Sequence, residues 1–293
     1  MIDRPVRDAR SDEVRIAVKA AAVNPTDIGL RERGDERIAP PWIPGMDAAG
    51  VIESVGPGVE RLRAGDPVIA AVSPRRPEGG AQAELIVVPA ASVVPSPQGA
   101  TVQQASTLPM NGLTAQLGLS MLDLEPGQTL AVSGGAGLLA SYVIPLAKLR
   151  GLRVIADANP RDEELVRGFG ADLVVPRGER FNDAVRAAVP SGVDALYDTA
   201  LLRAAALAAI RDRGAIAVVR GWDDSEPERG IEVKAVQVRT ALERTDWLTE
   251  LSELAGRGVL ALRVAGEYPP EQAAEAHRVM DAGGLRGRAV IVF

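Results

Sequence analysis

The sequence predicts an α/β chain: a doubly wound parallel sheet joined to a smaller β-rich part. Three observations lead there. Short β-branched runs separated by Gly and Pro fill the chain to about residue 95, the pattern of a small β-domain. From residue 129 onward, strand-like runs alternate with helix-like ones, which gives a parallel sheet covered on both faces. At the first of those strands, Thr129–Ser133 breaks into Gly134-Gly135-Ala136-Gly137 and continues as an apolar segment to Gly151.

Taken in order, Glu13 to Val23 alternates Val14, Ile16 and Val18 with Glu13, Arg15, Ala17 and Lys19, a half-buried strand. Asn24-Pro25-Thr26-Asp27 follows as a turn, for which Asn and Pro are suited. Val51, Ile52 and Val55 mark a strand closed by Gly56-Pro57-Gly58. Arg63-Ala-Gly-Asp66 turns into the strand Pro67–Val72, and Gly79-Gly80 opens Ala83–Val88. Ala105 to Leu122 is apolar and helix-compatible apart from Pro109 and Gly112.

The alternating region then reads as strands Thr129–Ser133, Arg153–Ala156, Leu173–Val175, Ala195–Asp198 and Ala215–Val219. Helices separate them, over the segment ending near Gly151 and over Arg161–Phe169, Phe181–Ala188 and the alanine-rich Leu201–Ile210. Pro145 should kink the first of these helices. Ile231–Val238 is a further strand. Asp246 caps a helix through Leu254, with Trp247 and Leu251 spaced to share a face. Leu260–Ala265 is a strand, Pro269–Met280 a helix with prolines at its start, and Ala289–Phe293 the last strand.

The bulk composition narrows the function. At 293 residues two domains are expected. The net charge of −6 and an aromatic content of 3% argue against nucleic acid as a partner. No apolar run reaches membrane-spanning length, and Met1-Ile-Asp-Arg-Pro-Val-Arg is unlike a signal peptide; the expected location is the cytoplasm. With no Cys and one His, thiolate nucleophiles and Cys/His zinc sites are excluded, and no metal is expected. That His277 lies mid-helix beside Arg278 and reads as a packing or surface residue rather than a catalytic base.

The glycine segment carries the clearest chemistry. Gly135, Gly137 and Ala140 fit G-x-G-x-x-A between a strand and a helix, the context in which backbone N–H groups and a helix N-terminus meet a pyrophosphate. The ligand crevice of such a sheet lies beyond the carboxyl ends of its strands. Gly134–Gly137, Asp157–Asn159, Tyr197–Thr199 and Arg220–Trp222 converge there.

Several segments together resemble one family. They are Ala20-Ala-Ala-Val-Asn-Pro-Thr-Asp27, Ile43-Pro-Gly-Met-Asp-Ala-Ala-Gly50, Arg63-Ala-Gly-Asp66, Leu113-Thr-Ala115 and Val132-Ser-Gly-Gly-Ala-Gly137. Phe169-Gly-Ala-Asp172, Val193–Thr199 and Ala273–His277 continue the series. In this order they look like the zinc-independent quinone oxidoreductases of the medium-chain dehydrogenase/reductase superfamily, the zeta-crystallin-like branch.

The resemblance implies a Rossmann sheet inserted into a GroES-like catalytic domain. The expected parts are residues 1–105 (catalytic), 106–244 (cofactor-binding) and 245–293 (return to the catalytic domain). It also implies NADPH as hydride donor, with NADH less suited, and a quinone or an α,β-unsaturated carbonyl compound as acceptor. A homodimer through the sheet edge near Ile231–Val238 is implied too. Departures from the family pattern are Leu138 for the second glycine of the turn, Ala140 for its last glycine, Gly29 where an aromatic is common, and a start that omits most of the first hairpin. A bulky Leu138 would narrow the pyrophosphate approach.

By resemblance, Asn24 orients the nicotinamide or the substrate oxygen, Asp27 fixes its turn, and Thr114 contacts the nicotinamide side; these are the catalytic candidates. Trp42 walls the substrate cleft or belongs to the core. Cofactor candidates are Gly134, Gly135, Ala136, Gly137, Leu138, Leu139, Asn159, Arg161, Arg177, Thr199 and Gly221. Asp157 stands about twenty residues past the glycine turn, where an acidic residue would favour NAD. In the family register, however, its position is often held by Thr and that of Asn159 by Ser. Arg161 and Arg177 offer guanidinium groups to a 2′-phosphate or are solvated surface residues. A second reading is a nucleotide-binding structural or regulatory protein of the same fold without turnover. A zinc alcohol dehydrogenase is opposed by the missing cysteines.

Overall fold

The computed structural model describes residues 2–222 and 227–293. In chain order the elements begin β1 (Glu13–Ala22), α1 (Pro25–Arg33), β2 (Asp47–Val55), β3 (Pro67–Ala71), β4 (Leu85–Pro89), β5 (Val93–Pro95), α2 (Val102–Ala105) and α3 (Pro109–Leu122). They continue β6 (Thr129–Ser133), α4 (Ala140–Leu149), β7 (Arg153–Ala158), α5 (Glu163–Gly168), β8 (Leu173–Pro176), α6 (Phe181–Ala188), β9 (Val193–Asp198), β10 (Ile210–Val218) and β11 (Glu232–Ala235). The tail adds α7 (Thr245–Gly256), β12 (Val264–Tyr268), α8 (Ala273–Ala282) and β13 (Arg288–Val292). The chain divides into two compact units, residues 1–113 with 239–293, and residues 114–238, with one division inside α3.

The first unit is built on a seven-stranded sheet ordered β12-β13-β1-β2-β3-β5, with β4 also paired to β1. β1 is its hub. Val14, Ile16 and Val18 are buried on one face, so a register slip would expose all three. Its first half pairs β4 at Glu13–Ala17, and its second half pairs β13 at Ala20–Ala22. That second pairing brings the C-terminal tail back into the N-terminal sheet.

The second unit holds the six-stranded parallel sheet β11-β10-β9-β6-β7-β8. Counted from β6, this is the doubly wound order with a switch point between β6 and β9. Ala131, Ile155, Leu196 and Ile216 come from four neighbouring strands and share one core with Phe181 and Val185 of α6. Both faces of a parallel sheet are covered, which explains near-continuous apolar strands. Tyr197, fully buried, donates its hydroxyl to the Thr114 carbonyl at 2.6 Å. Its ring fills the space over Gly118, where no Cβ fits. Among the described residues no helix is long and apolar enough to cross a membrane.

Several local expectations are corrected. Asn24–Asp27 is the start of helix α1 rather than a free turn, with Pro25 in its first turn, where the missing N–H costs nothing. The alanine-rich segment forms a 3-10 helix at Arg203–Ala209, and Ile210 already opens β10. Leu201 and Arg203 adopt positive φ of 61° and 55°, which an α-helix cannot accommodate. Asp246 lies inside the first turn of α7 and pairs with Arg244, which itself lies over the Trp247 ring. The strand expected at Leu260–Ala265 is displaced to β12, where register with β13 sets its limits. The strand at Ile231–Val238 shrinks to the four residues of β11. Pro145 is buried within α4.

Candidate functional site

In the first unit a buried polar cluster forms around Asn24. Its backbone N–H donates to Asp27 Oδ2 at 2.8 Å, and Asp27 Oδ1 accepts from Gly45 N at 2.9 Å. Gly45 has a φ of +109°, and a Cβ there would meet the Gln82 amide nitrogen at 2.6 Å. Asp27 thus joins the start of α1 to the loop before β2.

The Asn24 side chain is satisfied on both sides. Its Nδ2 donates to Asp47 Oδ2 at 2.6 Å. Its Oδ1 accepts from Arg288 Nε at 2.9 Å and from Asn111 Nδ2 at 3.1 Å. Arg288 Nη2 also donates to Asn111 Oδ1 at 2.7 Å, and Asp47 Oδ1 accepts from Met110 N at 2.6 Å. Flipping either amide would set an NH2 against the guanidinium, so the orientations are unique. The Asn24 carbonyl is held by Arg288 and Asn111, and its Nδ2 is committed to Asp47.

These groups are sealed from water: Asn24 and Asp47 are 0% exposed, Asp27 1% and Arg288 9%. Burial pushes the Asp47 carboxyl up to about 7, against the opposing pull of the Met110 and Asn24 N–H groups. Burial likewise pushes Asp27 up to about 6. Apolar surroundings penalise the charged form of a carboxyl.

The other expected residues of this unit lie elsewhere. Trp42 is 38% exposed. Its Nε1 donates to the Ile38 carbonyl at 3.0 Å, its ring covers Gly34, and it lines a cavity of about 370 Å³ with Pro41, Ile43 and Arg76. His277 is buried and its Nε2 meets Gln82 Oε1 at 2.9 Å. Burial lowers its pKa.

In the second unit Gly134–Leu139 leads from β6 to α4, with Gly134 at φ +70°. A Cβ on Gly134 would strike Thr199 Oγ1 at 2.8 Å, and one on Gly135 would strike the Asp157 carbonyl at 2.5 Å. No side chain fits at either position. Leu138, expected to crowd the phosphate approach, is 2% exposed and buried; the turn carries it inward. Among the described residues no acceptor takes the N–H of Leu138 or Leu139. Those two donors, just ahead of α4, fit an anion.

Asp157 is 1% exposed, and its Oδ1 accepts from Gly135 N at 2.8 Å. Burial raises its pKa. Its carboxylate is committed to the glycine turn and is not free to serve as the outward ribose acceptor of an NAD site. Asn159 immediately precedes the 3-10 turn Pro160–Asp162 after β7, its backbone carbonyl accepting from Asp162 N at 2.8 Å. Arg161 and Arg177 are exposed, the former 3.8 Å from Asp162. Thr199 Oγ1 donates to the Ser133 carbonyl at 2.6 Å, and Gly221 has φ +77°. All of these follow the carboxyl ends of β6 to β10. Thr114, 6% exposed, belongs to α3.

Residues 10–98 match the alcohol dehydrogenase GroES-like domain, and residues 169–291 match the zinc-binding dehydrogenase family. The chain belongs to the medium-chain dehydrogenase/reductase superfamily. It is 34% identical over 226 residues to an NADPH-dependent alkenal/one oxidoreductase of Arabidopsis thaliana chloroplasts, covering 74% of this chain and 57% of that protein. It is 33% identical to the chloroplast envelope quinone oxidoreductase homolog of the same plant, covering 58% of this chain and 54% of the relative. The chain therefore spans little more than half the length of these relatives. A mycobacterial protein solved with NADPH superposes with a TM-score of 0.85 at 27% identity, covering 100% of this chain and 94% of the other. The second unit is thus the Rossmann-like part of this superfamily's fold and the first its GroES-like part.

Sequence reasoning singled out neither Asp47, Asn111 nor Arg288, nor the contact of Asp157 with Gly135. Asp47 stood inside a quoted motif, and a lone carboxyl within Met-Asp-Ala-Ala-Gly was its available signal. Arg288, opening the last apolar strand, gave a similar one. Nothing in sequence links either to Asn24.

Replacing Gly135 by alanine tests the glycine turn. The added Cβ meets backbone, the Asp157 carbonyl at 2.5 Å, so relief requires the turn to move. We expect NADPH affinity, read by fluorescence titration, to fall by about tenfold or more, with a stability loss of about 1–3 kcal/mol. Unchanged affinity would remove the turn from the cofactor site.

Proposed function

We propose that this protein is an NADPH-dependent reductase that delivers hydride to a quinone or to the conjugated double bond of an α,β-unsaturated carbonyl compound, without zinc. The observation that carries the reading is the glycine turn at the switch point of the parallel sheet, with no room for a Cβ and two N–H groups directed to no protein acceptor. Kinship with alkenal/one and quinone oxidoreductases supports the acceptor class.

In this reading Gly134, Gly135, Ala136, Gly137, Leu138 and Leu139 receive the diphosphate. Asn159, Arg161 and Arg177 take the adenosine side, and the commitment of Asp157 to Gly135 favours a 2′-phosphate over a free ribose diol. NADPH supplies the hydride. Negative charge that develops on the acceptor oxygen needs preorganised donors. By resemblance Asn24, its carbonyl held by Arg288 and Asn111 and its Nδ2 by Asp47, orients the nicotinamide or the acceptor oxygen, and Asp27 fixes its turn. By resemblance Thr114 is the candidate for the nicotinamide side and Trp42 for the acceptor. With no Cys and one His in 293 residues, the usual Cys/His zinc donor sets cannot be assembled. The reading includes a homodimer through the free edge of the parallel sheet at β11 and a place in the cytoplasm.

Titration with NADPH and NADH, followed by oxidation with a simple quinone and an enone, tests this. Preferential NADPH binding with turnover is the expected result. Binding without turnover would move the protein to a nucleotide-binding structural or regulatory role, and binding of neither cofactor would end the reading.

A further inference from the structure

The second half of the parallel sheet carries a feature that the cofactor reading does not use. Leu201 and Arg203 both lie in the left-handed backbone region, at φ 61° and 55°, and Leu202 between them is right-handed at φ −68°. Such alternation turns successive N–H groups toward one point. There the Asp198 carboxylate sits, 1% exposed, accepting from Leu202 N at 3.0 Å, Arg203 N at 2.7 Å and Ser133 Oγ at 2.6 Å. Strained backbone persists only where its surroundings over-determine it, and such strain clusters at functional sites.

This arrangement delivers one side chain. The Arg203 guanidinium is exposed and lies flat against Gly221, where a Cβ would fall 2.8 Å from both its Cζ and Nε. Among the described residues the guanidinium has no hydrogen-bond or ion-pair partner. It opens on a cavity of about 210 Å³ lined by Leu202, Arg203, Ala204, Ala205, Gly221 and Trp222. Among the described residues the lining offers one cation and otherwise largely apolar walls.

We infer that this cavity binds the carboxylate of an acidic acceptor, with Arg203 as its anchor. The guanidinium fork matches a carboxylate in two parallel hydrogen bonds, while Leu202, Ala204, Ala205 and Trp222 cover the carbon skeleton. In the reductase reading the cofactor's own anionic groups are taken elsewhere: the diphosphate at the turn after β6, and the 2′-phosphate beyond β7 and β8. A nicotinamide riboside carries no acidic group, so a cation beyond β9 and β10 is left for the acceptor. The inference rests on the reductase reading for the word acceptor; the binding of a small carboxylate does not.

The test uses the full chain, its Arg203→Gln and Arg203→Lys variants, and two probes, trans-acetylacrylate and its methyl ester. Rates of NADPH oxidation give KM and kcat, and calorimetry follows acetylacrylate binding to protein saturated with NADP+. Arg203→Gln should raise the KM for the acid about tenfold or more. It should leave the ester and NADPH affinity within about twofold, and Arg203→Lys should recover part of the loss. Equal effects on acid and ester would overturn the assignment. Weakened NADPH binding in Arg203→Gln would instead give the cation to the cofactor diphosphate. If neither probe is reduced, the enone arm of the reductase reading fails, and calorimetry still decides the site: acid binding lost in Arg203→Gln upholds it, and no binding to the unaltered protein refutes it.

Discussion

Replacing Arg288 by methionine lowers stability by about 3 kcal/mol, the scale for removing one charged member of a buried network. Methionine keeps the apolar stem, so the loss reports on the guanidinium. Without it, Asn111 Oδ1 loses the 2.7 Å donor and Asn24 Oδ1 keeps only the 3.1 Å contact from Asn111. The Asn111 carbonyl is left without its charged donor, and Asn24 is held only through Asp47 and Asn111. Asp47 also loses the cation that opposes its raised pKa. Arg288→Lys keeps the charge but offers one point donor for two oxygens, so it should restore part of the stability. Urea unfolding of the three proteins measures this. A methionine variant within about 0.5 kcal/mol of the original would mean that the guanidinium merely fills space.

Stability should also fall as the pH rises through neutrality. Asp47 is pushed up to about 7 and Asp27 to about 6, from an ordinary value of 3.8. At pH values between those limits the fold holds protons that the unfolded chain has released. Folded binds more than unfolded, so stability decreases with pH across that window. It is fully present below about 4 and is lost as pH passes through the folded values. Between pH 6 and pH 8.5 the loss should be about 2 kcal/mol, counted at about 1.4 kcal/mol for each unit of separation. His277, lowered by burial, acts in the opposite direction below its unfolded value of 6.5, which the interval starting at pH 6 largely avoids. Asp47→Asn should flatten the slope, while losing the acceptor that Asn24 Nδ2 requires. Stability that is constant or rises from pH 6 to pH 8.5 would show that the two carboxyls are ionised in the fold and paired more strongly than their burial allows.

The parallel sheet and its glycine turn were legible because both are local. Strand and helix periodicity is written along the chain, and Gly134 and Gly135 mark positions where a side chain would strike the neighbouring strand ends. The absence of Cys removes the cysteine donors of the usual zinc sites from composition alone. The short helix α1 was less legible, because Asn-Pro-Thr-Asp serves a turn or a helix start equally well. The alanine-rich segment after β9 misled for a different reason. Its composition favours α-helix, but the Asp198 carboxylate claims the N–H groups of Leu202 and Arg203.

What the sequence by itself determined is the order of strands and helices, the glycine turn and the chemistry that missing residue types forbid. Only the tertiary structure decided which polar groups meet. Arg288 reaches Asn24 across 264 positions because β13 pairs with the end of β1. Asp157 turns into the glycine loop, and Arg203 is set over Gly221 by the Asp198 carboxylate at the end of β9. A buried polar side chain is stable only with its partners. Those partners come from strands brought together by packing, so their pairing has no period or spacing along the chain.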